Sequence, residues 1–440
     1  MTARKSSGAP AGAPPRALTL TEYQTTPGVR LSPWQRDALR RLVPSVAVSP
    51  TPGQRGAYDL TPGSWVGVVS LGTQRAGSTP HPRGHPALHL EIRPKLPVGQ
   101  LLFLLAYTLD PLRWRELPFP AAPHAGLPQA IVPAYLALVR RATARGLLHG
   151  YRSQEGALPT LRGRLRVEAQ LHRHWGRFPP LEVAFDDFTP DVPENRLLKG
   201  AMRRLRRLPG LPPRTVGALG AALARFDPVA DVAYAPGAVP AVAYGPLNAH
   251  YRPAVELARR LLAGGAFELA PGPLSGASLL VDMNAVFEDF VVVALRQALG
   301  LSPATFPQGA AGRELRLDRA GAIRLRPDLS WWEGGRCLFV GDVKYKRTRA
   351  PGVDHPDLYQ LLAYTVASGL PAGLLVYAAG EAEAGAHAVD GKELQVTALD
   401  LAGDPQATLD QVATLAGRVR RLRRAATQTG QPASRAGEGT

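Results

Sequence analysis

Leu18, Leu20 and Glu22 alternate with a period of two and predict a strand near the start of the chain, after which Ser32-Pro33 supplies an N-cap and first-turn pair for a helix running to about Leu42. Trp65 to Leu71 and Leu88 to Ile92 read as further strands, and an apolar helix from about Val98 to Leu109 closes a β-rich N-terminal domain over residues 17–110. The period then changes to that of helices, at Gln129 to Leu148, Glu194 to Leu208, Pro213 to Phe226 and Ala249 to Leu262, which predicts a mainly helical middle domain over residues 111–271. From Ser275 the pattern becomes an α/β alternation extending over residues 275–425. Met283, Val286, Phe287, Phe290, Val291, Ala294 and Leu295 line one helix face. Strands Ile323 to Trp331 and Arg336 to Tyr345 meet at Glu333-Gly334-Gly335, where glycine permits a tight turn; a helix from about Pro356 to Ser368 and strands Ala372 to Tyr377 and Leu394 to Leu399 follow. Residues 1–16 and 426–440 have no periodicity and are expected to be disordered tails. The fold class expected is α/β, α+β overall, in three sequential parts with no internal repeat.

At 440 residues the chain exceeds what one core organises, which agrees with several domains. Charge adds more: a net of +17 and a pI near 10.5 favour a polyanion, be it DNA, RNA or anionic lipid, although an Arg-rich, GC-rich coding bias raises charge with no binding role. Arg203, Arg204, Arg206 and Arg207 around Leu205 are a candidate phosphate track or simply a solvated helix face. Cys337 is the single cysteine, so disulfides within the chain and cysteine zinc clusters are excluded. Leu101 to Leu109, the longest apolar stretch, is too short to span a bilayer, and a cytoplasmic protein without membrane attachment is expected. No G-x-x-x-x-G-K-[ST] occurs, and Gly309-Ala310-Ala311-Gly312 lacks the lysine and hydroxyl that phosphates and magnesium need. His81, His85 and His89 recur every four residues in a Pro-broken, strand-like region, where they do not share a helix face; a zinc site is not expected. Asp186-Asp187 reads as a structural pair.

Three features of the last third belong together. Pro327-Asp328 lies on one hairpin strand, Asp342-Val343-Lys344 on its partner, and Glu288 on the preceding helix. Residues two apart in a strand face one side, so Asp342 and Lys344 share a face while Val343 turns to the core. Two carboxylates suit a hard divalent ion such as Mg2+, and a lysine beside them can orient or deprotonate a water or offset charge building on a phosphate. Asp342 also ends the apolar run Leu338-Phe339-Val340-Gly341, where an unpaired carboxylate is costly. Lysine is scarce, at six in the chain, yet Lys344 and Lys346 both lie here.

Pro327-Asp328, a thirteen-residue gap and Asp342-Val343-Lys344 resemble the PD-(D/E)xK nuclease signature. The resemblance implies a Mg2+-dependent endodeoxyribonuclease in which Asp328, Asp342 and the helix acid Glu288 hold metal and Lys344 is catalytic. Asp289 and Asp282 are alternative helix acids. Tyr359-Gln360-Leu361-Leu362-Ala363-Tyr364 resembles the helix that follows in such nucleases, implying that Gln360 and Tyr364 face the site; plain helix packing is the other reading. Lys346 and Arg347, with Arg203 and Arg207, are candidate DNA contacts. Outside the signature, Glu91-Ile92-Arg93-Pro94-Lys95, Leu161-Arg162-Gly163-Arg164-Leu165, Phe185-Asp186-Asp187-Phe188-Thr189-Pro190-Asp191 and Glu194-Asn195-Arg196-Leu197-Leu198-Lys199 are similar, in order, to blocks of the McrC family. That likeness implies the nuclease subunit of a modification-dependent restriction system, acting on double-stranded DNA with an McrB-like AAA+ GTPase hexamer docked on the middle domain. A catalytically idle DNA-binding adaptor that activates the motor, and an autonomous endonuclease, are the competing expectations.

Overall fold

The structure, a computed structural model, describes residues 16–43, 45–71, 88–117, 126–208, 210–235, 237–263, 276–308, 314–347, 355–379 and 385–429. In chain order the first elements are β1 (Arg16–Thr21), β2 (Thr26–Arg30), α1 (Pro33–Leu42), β3 (Val46–Pro50), β4 (Ala57–Pro62), β5 (Trp65–Leu71), β6 (Leu88–Arg93), α2 (Val98–Leu109) and α3 (Leu127–Ala142). Next come β7 (Gly150–Leu158), β8 (Arg164–Leu165), α4 (Val167–Arg173), β9 (Leu181–Thr189), α5 (Pro193–Arg206), α6 (Pro213–Ala224) and α7 (Arg252–Ala263). The last third holds β10 (Gly276–Asp282), α8 (Met283–Leu299), β11 (Leu315–Arg316), β12 (Arg324–Leu325), β13 (Leu329–Glu333), β14 (Arg336–Arg347), α9 (His355–Ser368), β15 (Ala372–Ala379), β16 (Ala386–Val389), β17 (Lys392–Ala398) and α10 (Pro405–Thr429). The mixed α and β content is that expected. No helix among the described residues is long and apolar enough to cross a membrane.

The chain divides into two compact units, neither contiguous in sequence: residues 1–17, 68–90 and 131–280 make one, residues 18–67, 91–130 and 281–440 the other. The division cuts across the three sequential parts read from periodicity.

In the first unit α5 packs on α6 and α7. Its anchor is Asn195, whose amide donates to the carbonyls of Leu148 (2.9 Å) and Pro190 (2.8 Å), while Asp191 accepts from Arg196 (2.5 Å) and Arg152 (2.6 Å). Arg196 above all, helped by the Ala230 amide and Arg152, holds the Asp191 carboxyl at about 2. Besides the expected helices this unit contains a three-stranded antiparallel sheet, β7-β9-β8, a correction to a middle that reads as helical. No residue of β7 is fully buried, and no apolar alternation marks it. Gly163 shapes its turn: φ is +70°, and a Cβ there would lie 2.3 Å from the Ala184 carbonyl oxygen.

In the second unit α1 begins where expected, with Ser32 and Gln35 forming a reciprocal capping box. Apolar almost throughout, α2 must be covered on most sides; Phe103 and Tyr107 meet Phe290 of α8 at ring separations of 5.4 and 5.5 Å. The main sheet runs β13-β14-β15-β17-β16, antiparallel at its two ends and parallel between, with α9 as the crossover from β14 to β15. Leu361, Tyr364 and Leu370 pack on Val340, Leu375, Tyr377 and Val396 to form its core. The strand expected from Ile323 to Trp331 is broken into β12 and β13 around Pro327, which has no amide to give a ladder. Residues 426–429, expected in the tail, complete α10.

Candidate active site

β13 and β14 are an antiparallel hairpin in which Leu329 faces Gly341. One residue beyond that pairing, the Asp328 carboxylate takes the place of a strand neighbour and accepts the Val343 amide at 2.9 Å. Asp342 beside it is fully buried, and neither of its oxygens has a hydrogen-bond donor of good geometry among the described residues. Lys344, two residues along the same face, makes an ion pair with it.

Charge is crowded here. Burial first, then the Asp328 charge, pushes the Asp342 carboxyl well above the usual carboxylate range. Burial and the Glu288 charge raise Asp328 in the same way. Glu288 is lifted to about 7 by burial and by the charges of Asp289 and Asp342. Burial works against the Lys344 ammonium, but Asp342 and Asp328 more than offset it, so its pKa lies above the ordinary lysine value.

Of the alternative helix acids, Asp282 is spent on the N-cap of α8, accepting from the Asn284 amide (3.0 Å) and Ser64 hydroxyl (2.8 Å), and Asp289 is held by Gln308. Glu288 is the one coupled to both strand acids: its charge raises Asp328, and the Asp342 charge raises it in turn. Among the described residues no group of three His, Cys, Asp or Glu side chains is closed up as a metal cage; Asp328 and Asp342 interact directly, carboxyl to carboxyl. One ammonium against three carboxylates leaves a negative surplus, and Asp342 has lone pairs with no donor aligned to them; an oxygen-seeking divalent ion fits that donor set.

The Tyr364 hydroxyl donates to the Arg326 carbonyl (3.1 Å) and accepts from the Gln360 amide (2.8 Å). Tyr364 therefore acts on the loop that carries Asp328, and Gln360 acts through Tyr364. Lys346 is ion-paired with Asp357 at 2.8 Å, an acid that also accepts from the Tyr377 hydroxyl at 2.6 Å. Arg347 ends β14, and its side chain lies outside the described residues. Arg203 belongs to the other unit, where it pairs with Asp231; Arg207, just past the end of α5, is in that unit too. Asp187 pairs with Arg162 at 2.6 Å, the structural role expected of it. His89 meets the Ser70 hydroxyl at 2.7 Å, whereas His81, His85 and Gly309 to Gly312 lie outside the described residues.

Sequence reasoning passed over the far face of β14. There the Tyr345 hydroxyl donates to buried Glu22 at 2.8 Å, and the Lys95 amide donates to the same oxygen at 2.9 Å. The only advance signal was a glutamate at an inward position of an alternating strand.

The sequence profile of the family described as McrBC 5-methylcytosine restriction system component matches residues 60–378. No curated protein matches. Among solved structures, the chain resembles a half-complex from a tetradecameric assembly of Thermococcus gammatolerans McrB AAA+ hexamers with bound McrC, at 16% identity and a TM-score of 0.46, over 94% of this chain and 100% of that one. The cryo-EM structure of the Thermococcus gammatolerans McrBC complex is more distant, at 17% identity and a TM-score of 0.38, over 64% and 88%. Likeness of that degree transfers nothing from those assemblies, but the profile covers well over half of the sequence, and the chain belongs to the family of McrBC 5-methylcytosine restriction system components.

Proposed function

We propose that this chain is the nuclease subunit of its restriction system, of McrC type, and cuts double-stranded DNA at a PD-(D/E)xK site formed by Asp328, Asp342 and Lys344, with Glu288 behind them. The observation that carries the reading is the buried Asp342 carboxylate, flanked by a second carboxylate and an ammonium on one strand face, in a family whose members serve DNA restriction. Such burial is costly unless a cation compensates it. Asp328 and Asp342 would hold Mg2+, which supplies Lewis-acid polarisation of the phosphate and of a water.

Each side chain then has a definable task. Lys344 stays protonated, because its pKa is raised, so it does not take a proton from water. It donates a hydrogen bond to the attacking water or a phosphate oxygen and offsets charge in the transition state. Glu288, titrating at about 7, is suited to accept that water's proton. Tyr364, itself fixed by the Gln360 amide, holds the Arg326 carbonyl, and with it the loop bearing Asp328.

The partner reading has its own support. The β7-β9-β8 sheet and its neighbouring segments expose Tyr151 (79%), Trp175 (78%), Phe178 and Phe188, large apolar side chains that a monomer seldom leaves in water together. They suit docking on a protein such as an McrB-like AAA+ GTPase hexamer, which would shift the expected docking surface from the middle helices to this sheet. The chain itself has no P-loop, so nucleotide-driven motion must come from such a partner.

The test is cleavage of methylated plasmid with Mg2+, with the partner motor and GTP present or absent. The expected result is cutting only when all are present, lost in Asp342→Ala while stimulation of GTP hydrolysis remains. If the wild type never cuts but still stimulates the motor, the chain is an adaptor.

A further inference from the structure

We infer that the β11–β12 ribbon is a clamp for the DNA backbone, with Arg316, Arg324 and Arg326 as phosphate contacts. The inference rests on the nuclease reading for the identity of the polyanion.

The ribbon's inner side is ordinary. Leu315 is buried and Leu325 packs beside it against the core formed with Leu361 and Tyr364. Asp318 builds its turn by accepting the amides of Ile323 (2.7 Å) and Ala322 (3.2 Å). The outer side is not ordinary, because Arg316 and Arg324 are directly opposed in register. Like charges across a strand pair are destabilising. Arg326 follows one residue past the end of β12 and reaches the same carboxylate, Glu314. The three side chains are 45%, 65% and 64% exposed.

One carboxylate serves all three. Glu314 lies within 3.4 Å of Arg316, 3.8 Å of Arg324 and in close hydrogen bonding with Arg326. Three guanidiniums around one carboxylate leave a surplus of two positive charges on a two-stranded arm. A fold selected for stability alone would place opposite charges across the pair. Guanidiniums present forked donors that match phosphate oxygens, so a phosphate backbone would supply the missing anions.

Location gives the surplus a use. Arg326 is two residues before Asp328, and its carbonyl is the group held by Tyr364. A strand gripped by Arg324 and Arg326 therefore runs beside the reacting phosphodiester, in a register set by the same loop that positions the acid. Contacts of this kind orient a duplex without reading its sequence, as expected when recognition of the modified base lies elsewhere.

The test measures binding of duplex DNA to the full chain in EDTA, as a function of salt. In Arg324→Thr/Arg326→Thr, affinity should fall and the slope of log K against log salt should drop by about 2, one unit per lost phosphate contact. The melting temperature should hold, because relief of the Arg316–Arg324 opposition offsets the exposed ion pairs that Glu314 loses. Arg40→Ala/Arg41→Ala on α1 removes the same charge elsewhere and should leave the slope unchanged. Glu314→Gln frees the arginines and should tighten binding. Unchanged affinity and slope in the double threonine variant, an equal loss in the α1 pair, or weaker binding by Glu314→Gln would each overturn the clamp. Because cleavage plays no part in the readout, the clamp can fail while Asp342-dependent cutting stands, and the reverse.

Discussion

Asp342 is the residue at which stability and function oppose each other most openly. Its carboxyl titrates above its unfolded value because of burial and the adjoining Asp328, so ionising it costs the folded state. Stability is therefore full below the unfolded value, near 4, and declines as pH rises through the folded one. In EDTA the wild-type melting temperature should fall between pH 5 and pH 8, whereas Asp342→Asn should be flatter and more stable at pH 8. Mg2+ should raise the melting temperature of the wild type at pH 8 and leave the variant unmoved; equal stabilisation of both would remove Asp342 from the metal site. Asp191 has the opposite sign. Its folded pKa of about 2 is depressed by Arg196, so it contributes stability above about 4 that is lost as pH falls toward 2. Asp191→Asn should cost about 1–3 kcal/mol at pH 7, the scale for lost hydrogen bonds to charged groups, and that cost should shrink on acidification in denaturant titrations. Asp328, Asp342 and Lys344 were legible in advance because two-residue spacing places side chains on one face. Glu22 beneath Tyr345 was not, since it depends on a contact 323 residues apart in the chain.

Among elements, β14 has the strictest demand. A Cβ on Gly341 would lie 2.7 Å from the Leu374 carbonyl oxygen and 3.2 Å from Leu329, so no side chain fits where β13, β14 and β15 meet. Gly341→Ala should destabilise by about 1–3 kcal/mol through overpacking, and because Asp342 is the next residue it should also depress cleavage strongly. A variant that melts low but cuts normally once folded would show that the strand spacing does not set the site. The apolar α2 and the capped α1 were readable because each announces itself locally. The β7-β9-β8 sheet was not, for β7 buries no residue and β9 buries only Glu182 and Val183, which leaves too short an apolar run to stand out. In α10 the buried Val412, Leu415, Ala416, Val419 and Leu422 do keep helical spacing, but Arg418, Arg420, Arg421, Arg423 and Arg424 interleave with them and mask the apolar stripe.

For the molecule as a whole, a net charge of +17 becomes interpretable once it is divided by use. Arg204, Arg196 and Lys346 serve carbonyls or acids of the fold itself, while the ribbon of Arg316, Arg324 and Arg326 carries an excess of its own. Sequence periodicity anticipated α8, β14, α9, β15 and β17 and reads three sequential parts; contacts group the chain into two units drawn from separated segments, which no local pattern encodes. The central claim is that Lys344 acts as a fixed cation beside the Asp328–Asp342 pair during DNA cutting. Single-turnover cleavage of methylated DNA by the assembled complex, comparing wild type with Lys344→Ala and monitoring GTP hydrolysis in parallel, tests it most directly. The account predicts that cutting falls by about a hundredfold or more, the scale for removing one preorganised transition-state partner, with hydrolysis unchanged; cleavage by Lys344→Ala at the wild-type rate would contradict it.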